Sequence, residues 1–360
     1  MAKHYRRRVA GPDHGEHAIR IRPLCSFDAP TRCRHRTRRN RVGLLRAIRL
    51  DHHDSTLLNS AYGFAYRAAE IANTSATIFG VASVAKGLTA LTVMALVQQR
   101  VLALDTPVRS ILGRDLPLID DAVTIEHLLA HRSGIGDYLD EHAATSVNDY
   151  VIDVPVHQLD SSEAFLAVLE GHPQVFRADQ DFSYCNSGYC VLAIIAERTT
   201  QRGFYELVDE LVGQPAGLGH ISFLRSDELP GRVAHGYLDP QGLQTNVLHL
   251  TVRGSGDGGV FTTTADLHAL WRAIFDGEIL SPSTIQAMTT RRCFTSASQC
   301  YGLGFWLSAD SDWVALEGYD AGISARTAHS PSQSVSHTVL ANTSTGAWAI
   351  AKRFENYFAS

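Results

Sequence analysis

The sequence predicts an α+β protein, an antiparallel sheet with helices packed against it, and three observations support this. Near the C-terminus, the segments Tyr301 to Leu307, Trp313 to Glu317, Ile323 to Ser330 and Val335 to Ala341 read as strands joined by short turns, the pattern of strands that pair with their sequence neighbours. In the stretch Phe79 to Arg100, apolar Val84, Leu88, Leu91 and Ala95 step by four, three and four, the repeat of a helix burying one stripe. The chain then closes on an amphipathic helix, Ala347 to Phe358, with Trp348, Ile350, Ala351, Phe354 and Phe358 apolar.

With 360 residues, 45% hydrophobic and 19% charged, the chain has the composition of a globular protein with a sizeable core. Its net charge of −5 is unevenly spread. Residues 1–50 carry 14 Lys and Arg against 3 Asp and Glu, and the rest carries 18 against 34. The segment 1–54 is therefore set apart as a basic, atypical arm without the apolar run of a secretion signal, and a cytoplasmic location is expected. Clustered arginines can contact phosphates, but disordered tails share this composition, and no nucleic-acid partner is expected. The longest apolar run, Leu88 to Val97, is too short to cross a bilayer. Six cysteines without Cys-x-x-Cys spacing read as free thiols, and no metal or cofactor is expected.

Taken in order, Ala61 to Arg67 reads as a strand, and the central helix begins at Ser83 after the breaker Gly80. Thr124 can cap a short helix carrying His127 and His131. That pair lacks the glutamate that follows the first histidine in zinc proteases, so it reads as structural, its imidazoles bonded to nearby backbone. Phe182 to Arg198 places Tyr184 and Asn186 before a core helix, two apart in an extended loop and so facing the same side. Gly254 to Leu267 is a glycine-rich turn leading into a helix. It has no following Lys-Ser/Thr, so close backbone approach to a cleft is its expected use, not phosphate binding.

The chemistry centres on Ser83-Val84-Ala85-Lys86. Residues three apart on a helix lie one above the other, so the Lys86 amine can reach the Ser83 hydroxyl. A serine becomes a good nucleophile beside a base, and the helix start offers the Ser83 N–H as an oxyanion donor. Ser-x-x-Lys alone also fits a capping serine and a solvated lysine.

Several landmarks in sequence order lift that ambiguity. FGVASVAKGLTAL, LALDTPV, IEHLLAHRSGI, FSYCNSGY and GDGGVFTTTADL together resemble the class C serine β-lactamases, the D-alanyl-D-alanine carboxypeptidases and their esterase and D-aminopeptidase relatives, from about Ala61 onward. The resemblance implies a β-lactamase/transpeptidase-like fold, an antiparallel sheet flanked by helices and built from both ends of the chain (about 55–100 and 250–360), with a mostly helical part inserted (about 101–249). It also implies Ser83 as nucleophile, Lys86 as its base, Tyr184 passing a proton to the leaving group, and Asn186 holding the substrate amide or ester.

Two departures shape the expectations. The family's third motif, Lys or His followed by Thr-Gly, falls within Leu316 to Ser324, with Tyr319 at the cation position and Gly322 or Ile323 as the second oxyanion donor. A phenol cannot neutralise a carboxylate, so small neutral esters or amides are expected as substrates ahead of β-lactams or D-alanyl peptides. A non-catalytic protein of the same fold is the competing class, to be recognised by a blocked cleft. Upstream, the arginine-rich segment replaces the expected first helix and strand, which predicts an open sheet edge and full activity for a chain beginning near Leu50.

Overall fold

A computed structural model of the chain describes residues 46–139 and 146–358. In chain order its strands are β1 (Arg46–His52), β2 (Ser55–Tyr62), β3 (Phe64–Tyr66), β4 (Ile71–Ala72), β5 (Phe79–Gly80), β6 (Phe261–Thr262), β7 (Cys293–Phe294), β8 (Gln299–Tyr301), β9 (Trp306–Ser308), β10 (Val314–Asp320), β11 (Ile323–Ser330) and β12 (Val335–Ala341). Eight of them form one sheet in the order β2-β1-β12-β11-β10-β9-β8-β7, antiparallel throughout. The C-terminal strands pair with their sequence neighbours as predicted, and β1 and β2 join from the other end of the chain.

The helices are α1 (Ala85–Gln98), α2 (Arg109–Leu112), α3 (Ile125–Leu129), α4 (Leu166–Leu169), α5 (Asn186–Thr200), α6 (Phe204–Val208), α7 (Thr264–Phe275), α8 (Pro282–Met288) and α9 (Trp348–Phe358). Residues 101–249, the part expected to be inserted, contain α2 to α6 and long loops. No described helix is long and apolar enough to cross a membrane.

α1 is the centre of the core. The sequence predicted one buried stripe, yet every residue from Ala85 to Leu96 is buried. The reason is its position: it packs against α5 and α6, and Leu316 of β10 presses on it at Gly87. Its threonines remain compatible with burial because Thr89 Oγ1 donates to Gly256 O at 2.6 Å and Thr92 Oγ1 to Leu88 O at 2.8 Å. At Gly87 the Leu316 side chain occupies the space a Cβ would need, coming within 2.6 Å of it, so glycine lets the sheet close onto the helix.

The N-terminal boundary requires correction. β1 lies inside the segment 1–54 set apart as an arm, but it is an interior strand, with Arg46–His52 paired to Val335–Ala341 on one side and to Ser55–Tyr62 on the other. Ala47 and Leu50 are almost fully buried. The sheet therefore begins by Arg46, the predicted open edge is filled, and a chain starting near Leu50 would cut β1 in two. The surrounding arginines hid the strand from a compositional reading. Two of them are structural: Arg46 Nη1 donates to Gly346 O at 2.8 Å, and Arg49 Nε pairs with the buried Asp51 carboxylate at 2.8 Å. The nucleic-acid reading of the arm rests largely on residues 1–45, which lie outside the described residues.

Candidate active site

Ser83 sits in a 3₁₀ turn, Ala82–Val84, immediately before α1. It is not the capping serine of the alternative reading, since no side-chain cap bond is made at either the turn or α1. The residue before it, Ala82, has φ 46°, a left-handed conformation in which a residue with a Cβ is strained by about 1 kcal/mol. The backbone thus turns sharply just ahead of Ser83, whose side chain is half-buried and lines two recesses of about 70 and about 460 Å³.

Lys86 is 1% exposed. Its Nζ donates to Ser83 Oγ at 2.9 Å, to Asn186 Oδ1 at 2.7 Å and to Asp257 O at 2.9 Å. The three-residue spacing on the helix delivers the first contact, and the other two come from 100 and 171 residues away. The glycine-rich turn supplies Asp257 O, and Gly254, Gly258 and Gly259 beside it line the smaller recess, the cleft-facing use predicted for that turn.

Tyr184 lies against the same amine. Lys86 Nζ stands 4.8 Å from the centre of the Tyr184 ring, which stacks on Trp306 at 5.9 Å and packs on His131 at 4.4 Å. Tyr184 and Ser83 line the larger recess together. Asn186 is buried, and its side chain spans two groups: Oδ1 accepts from Lys86 while Nδ2 donates to Asp137 Oδ2 and Leu139 O.

Asp137 is a residue that sequence reasoning missed. Its carboxylate accepts from the backbone N–H groups of Asn186 and Ser187, both at 2.8 Å, and from Ser187 Oγ at 3.0 Å. It caps α5 from a distant loop, since Cys185 at the N-cap offers no side-chain bond. Burial raises the Asp137 pKa, against the lowering effect of these bonds and of nearby Lys86. The only sequence signal was its place just after the IEHLLAHRSGI stretch.

Both imidazoles bond to backbone as predicted, but α3 ends at Leu129, so only His127 is on the helix. His127 Nδ1 accepts from Thr124 N within a capping box, and His131 Nδ1 accepts from Cys185 N at 3.1 Å. His131 is buried among Tyr184, Tyr189 and Tyr301, and burial, with the Lys86 charge, holds its pKa well below the usual imidazole value. The four described cysteines, Cys185, Cys190, Cys293 and Cys300, are free thiols.

On the opposite wall, β10 runs past the Ala82–Val84 turn. A Cβ added to Gly318 would lie 1.9 Å from Val81 O, so only glycine permits this approach. Tyr319 follows, 43% exposed, with its ring 6.0 Å from Trp348. The expectation for Gly322 does not hold: its N–H is donated to Ser344 Oγ at 2.8 Å, so it is engaged away from an incoming oxyanion.

The family model described as Beta-lactamase matches residues 35–359. The chain belongs to the Beta-lactamase family. Within this family of serine hydrolases, which includes esterases and amidases, it is 36% identical to Esterase EstB of Burkholderia gladioli over 198 residues, covering 52% of this chain and 49% of that protein. It is 29% identical to Penicillin-binding protein 4 of Amycolatopsis lactamdurans over 255 residues, 66% of this chain and 64% of that one. The match thus spans about half to two thirds of these relatives' lengths. The crystal structure of a penicillin binding protein from Bacillus halodurans superposes with a TM-score of 0.83 at 31% identity, over 88% of this chain and 97% of that one. The β-lactamase/transpeptidase-like fold expected from the sequence is therefore the fold of this chain.

Proposed function

We propose that this Beta-lactamase-family protein hydrolyses small esters or amides through an acyl-enzyme, with Ser83 as nucleophile, Lys86 as its base and Tyr184 as the acid for the leaving group. The observation that carries this reading is the surroundings of Lys86 Nζ. Asn186 Oδ1 and Asp257 O each accept one hydrogen of the amine, which leaves its third position directed at the Ser83 hydroxyl 2.9 Å away, where Nζ and Oγ can exchange a proton. Asp137 supports this by fixing Asn186 through its backbone and its Nδ2, so Asn186 serves first to position the base. An open recess at Ser83 argues against a non-catalytic role, for which the cleft would be blocked.

The attacked carbonyl needs two N–H donors. Ser83 offers one. For the second, the two-residue turn after β10 makes Asp320 and Ile323 the bonded pair closing the hairpin, and alternation then directs the Tyr319 N–H away from β11. β9 pairs only with Val314 and Ala315, so that N–H lies on the open edge of β10 beside the cleft. The close approach at Gly318 supports reading the third motif as Leu316-Glu317-Gly318, with Tyr319 contributing its backbone N–H and not its phenol. Leucine then stands where relatives carry a cation, and a substrate carboxylate loses its partner. This favours neutral esters or amides over β-lactams and D-alanyl peptides, in keeping with the likeness to an esterase.

A fluorophosphonate probe tests the proposal. Mass spectrometry should find the adduct on Ser83, and Ser83→Ala should lose both labelling and roughly 10⁴-fold or more in p-nitrophenyl acetate hydrolysis. Labelling elsewhere, or full activity in the Ser83→Ala protein, overturns it.

A further inference from the structure

The two recesses that meet at Ser83 differ in character. The smaller is walled by apolar side chains such as Ile152, Leu224, Val260 and Phe261, and its size suits a short acyl group. The larger contains Tyr184, the proposed acid, which marks it as the leaving-group side. There Trp306, Tyr319 and Trp348 present aromatic rings, and Glu317 places a carboxylate among them. Glu317 is held from behind by the largely buried Arg326, which also pairs with Glu355 at 2.9 Å, whose carboxylate reaches the exposed Lys352 at 3.6 Å.

The charge in the cleft has one sign. Among the described residues lining either recess, the acids are Asp137, Asp257, Glu317 and Asp320, and neither lysine nor arginine occurs. His249, at the smaller recess, is the one imidazole. Lys86 lies beneath, its Nζ engaged by three acceptors. An anionic leaving group would meet carboxylates, while the nearest cations, Arg326 and Lys86, sit behind the lining and are already engaged. A cation would meet a carboxylate at short range and the negative faces of aromatic rings.

We infer that the preferred substrates are esters or thioesters of a short acyl group with a cationic leaving group, an amine or quaternary ammonium borne on the alcohol or thiol. This rests on the acyl-serine hydrolase reading above and names the substrate class for that same site. In the reaction, Ser83 Oγ gives its proton to Lys86 and bonds to the acyl carbon, the C–O or C–S bond breaks, and the cationic alcohol or thiol departs with a proton from Tyr184, which Lys86 replaces. Water then attacks the acyl-enzyme to release the acid and restore the Ser83 hydroxyl.

Three thioacetates with the full chain provide the test, read by thiol release: acetylthiocholine, its uncharged isostere S-(3,3-dimethylbutyl) thioacetate, and the anionic S-acetyl-3-mercaptopropanoate. The expected order of kcat/KM is cationic, neutral, anionic, with about tenfold between the first two, which is about 1.4 kcal/mol. Glu317→Gln should pull the cationic-to-neutral ratio toward one. A merely structural loss lowers both rates together and leaves that ratio unmoved, and if this variant fails to fold, the wild-type order decides. Equal or inverted turnover of the cationic and neutral compounds overturns the inference and leaves the hydrolase reading standing. No turnover of any of the three, with Ser83 still labelled by fluorophosphonate, also overturns the inference alone. Loss of both labelling and turnover removes the hydrolase reading, and this inference with it.

Discussion

On the floor of the cleft, Lys86 is 1% exposed and reaches three acceptors through contacts that join α1, α5 and the glycine turn. On the facing wall, Tyr319 is 43% exposed and rests edge-on against Trp348. The floor is a buried polar network in which removing any member leaves another group unsatisfied, so its geometry is strongly specified. The wall is fixed through its backbone, at the Gly318 approach, while its side chains face the opening. Chemistry common to a family can therefore reside in the floor while the wall is free to change substrate.

Removing the amine of Lys86, the proposed base, should break this contrast most severely. Lys86→Met is expected to lose about 10³-fold in kcat/KM, as is typical for a general base, and to lower the Tm because Asn186 Oδ1 and Asp257 O lose their donor. Retained activity would mean the floor is structural only. Gly318→Ala comes next: with 1.9 Å to Val81 O, β10 and the turn that carries Ser83 must part, and about 10²-fold in kcat is expected from displacing Ser83, together with roughly 1–3 kcal/mol of stability in urea titration. A silent Gly318→Ala would show that the wall is not backbone-fixed.

Acid should weaken the buried side. Burial holds His131 well below the usual imidazole value, and burial together with the Arg326 charge holds His337 at about 3. The unfolded chain takes these protons near pH 6.5, so the contribution to stability is complete above that pH and is lost as pH falls from 6.5 toward about 3. His337 packs between Trp313 and Phe354 with neither ring nitrogen hydrogen-bonded. Replacing it, His337→Phe, should recover roughly 2 kcal/mol of stability at pH 5 relative to pH 8, read from denaturant midpoints at the two values. An unchanged pH dependence would contradict the burial argument. The smallest effect is expected at Tyr319→Phe, less than about threefold in kcat/KM for a neutral ester, because the hydroxyl goes and the backbone N–H remains. A large loss there would return the phenol to the role first read from the sequence.

Legibility followed distance along the chain. Ser83 and Lys86 are three apart across the 3₁₀ turn and the start of α1, and Tyr184 and Asn186 two apart where a loop enters α5, so their juxtaposition could be read locally. Asp137 was not legible, because its meaning depends on meeting the start of α5 about fifty residues later. β1 was missed for another reason: Arg46, Ala47, Ile48 and Arg49 do not alternate polar with apolar, the run is embedded in arginines, and only pairing on both sides makes it a strand. Gly322 was misassigned because the sequence does not give a hairpin's register, and one or two residues of slip exchange an inward N–H for a ladder or turn bond.

By itself, then, the sequence determined the α+β class, the central helix and the serine–lysine pair, since periodicity and short spacing are properties of the local chain. Tertiary structure decided which carbonyls hold the lysine, which glycine brings the wall to the nucleophile, and where the sheet begins. Those are long-range contacts, and a buried hydrogen bond or a 1.9 Å approach exists only once distant segments have been packed together.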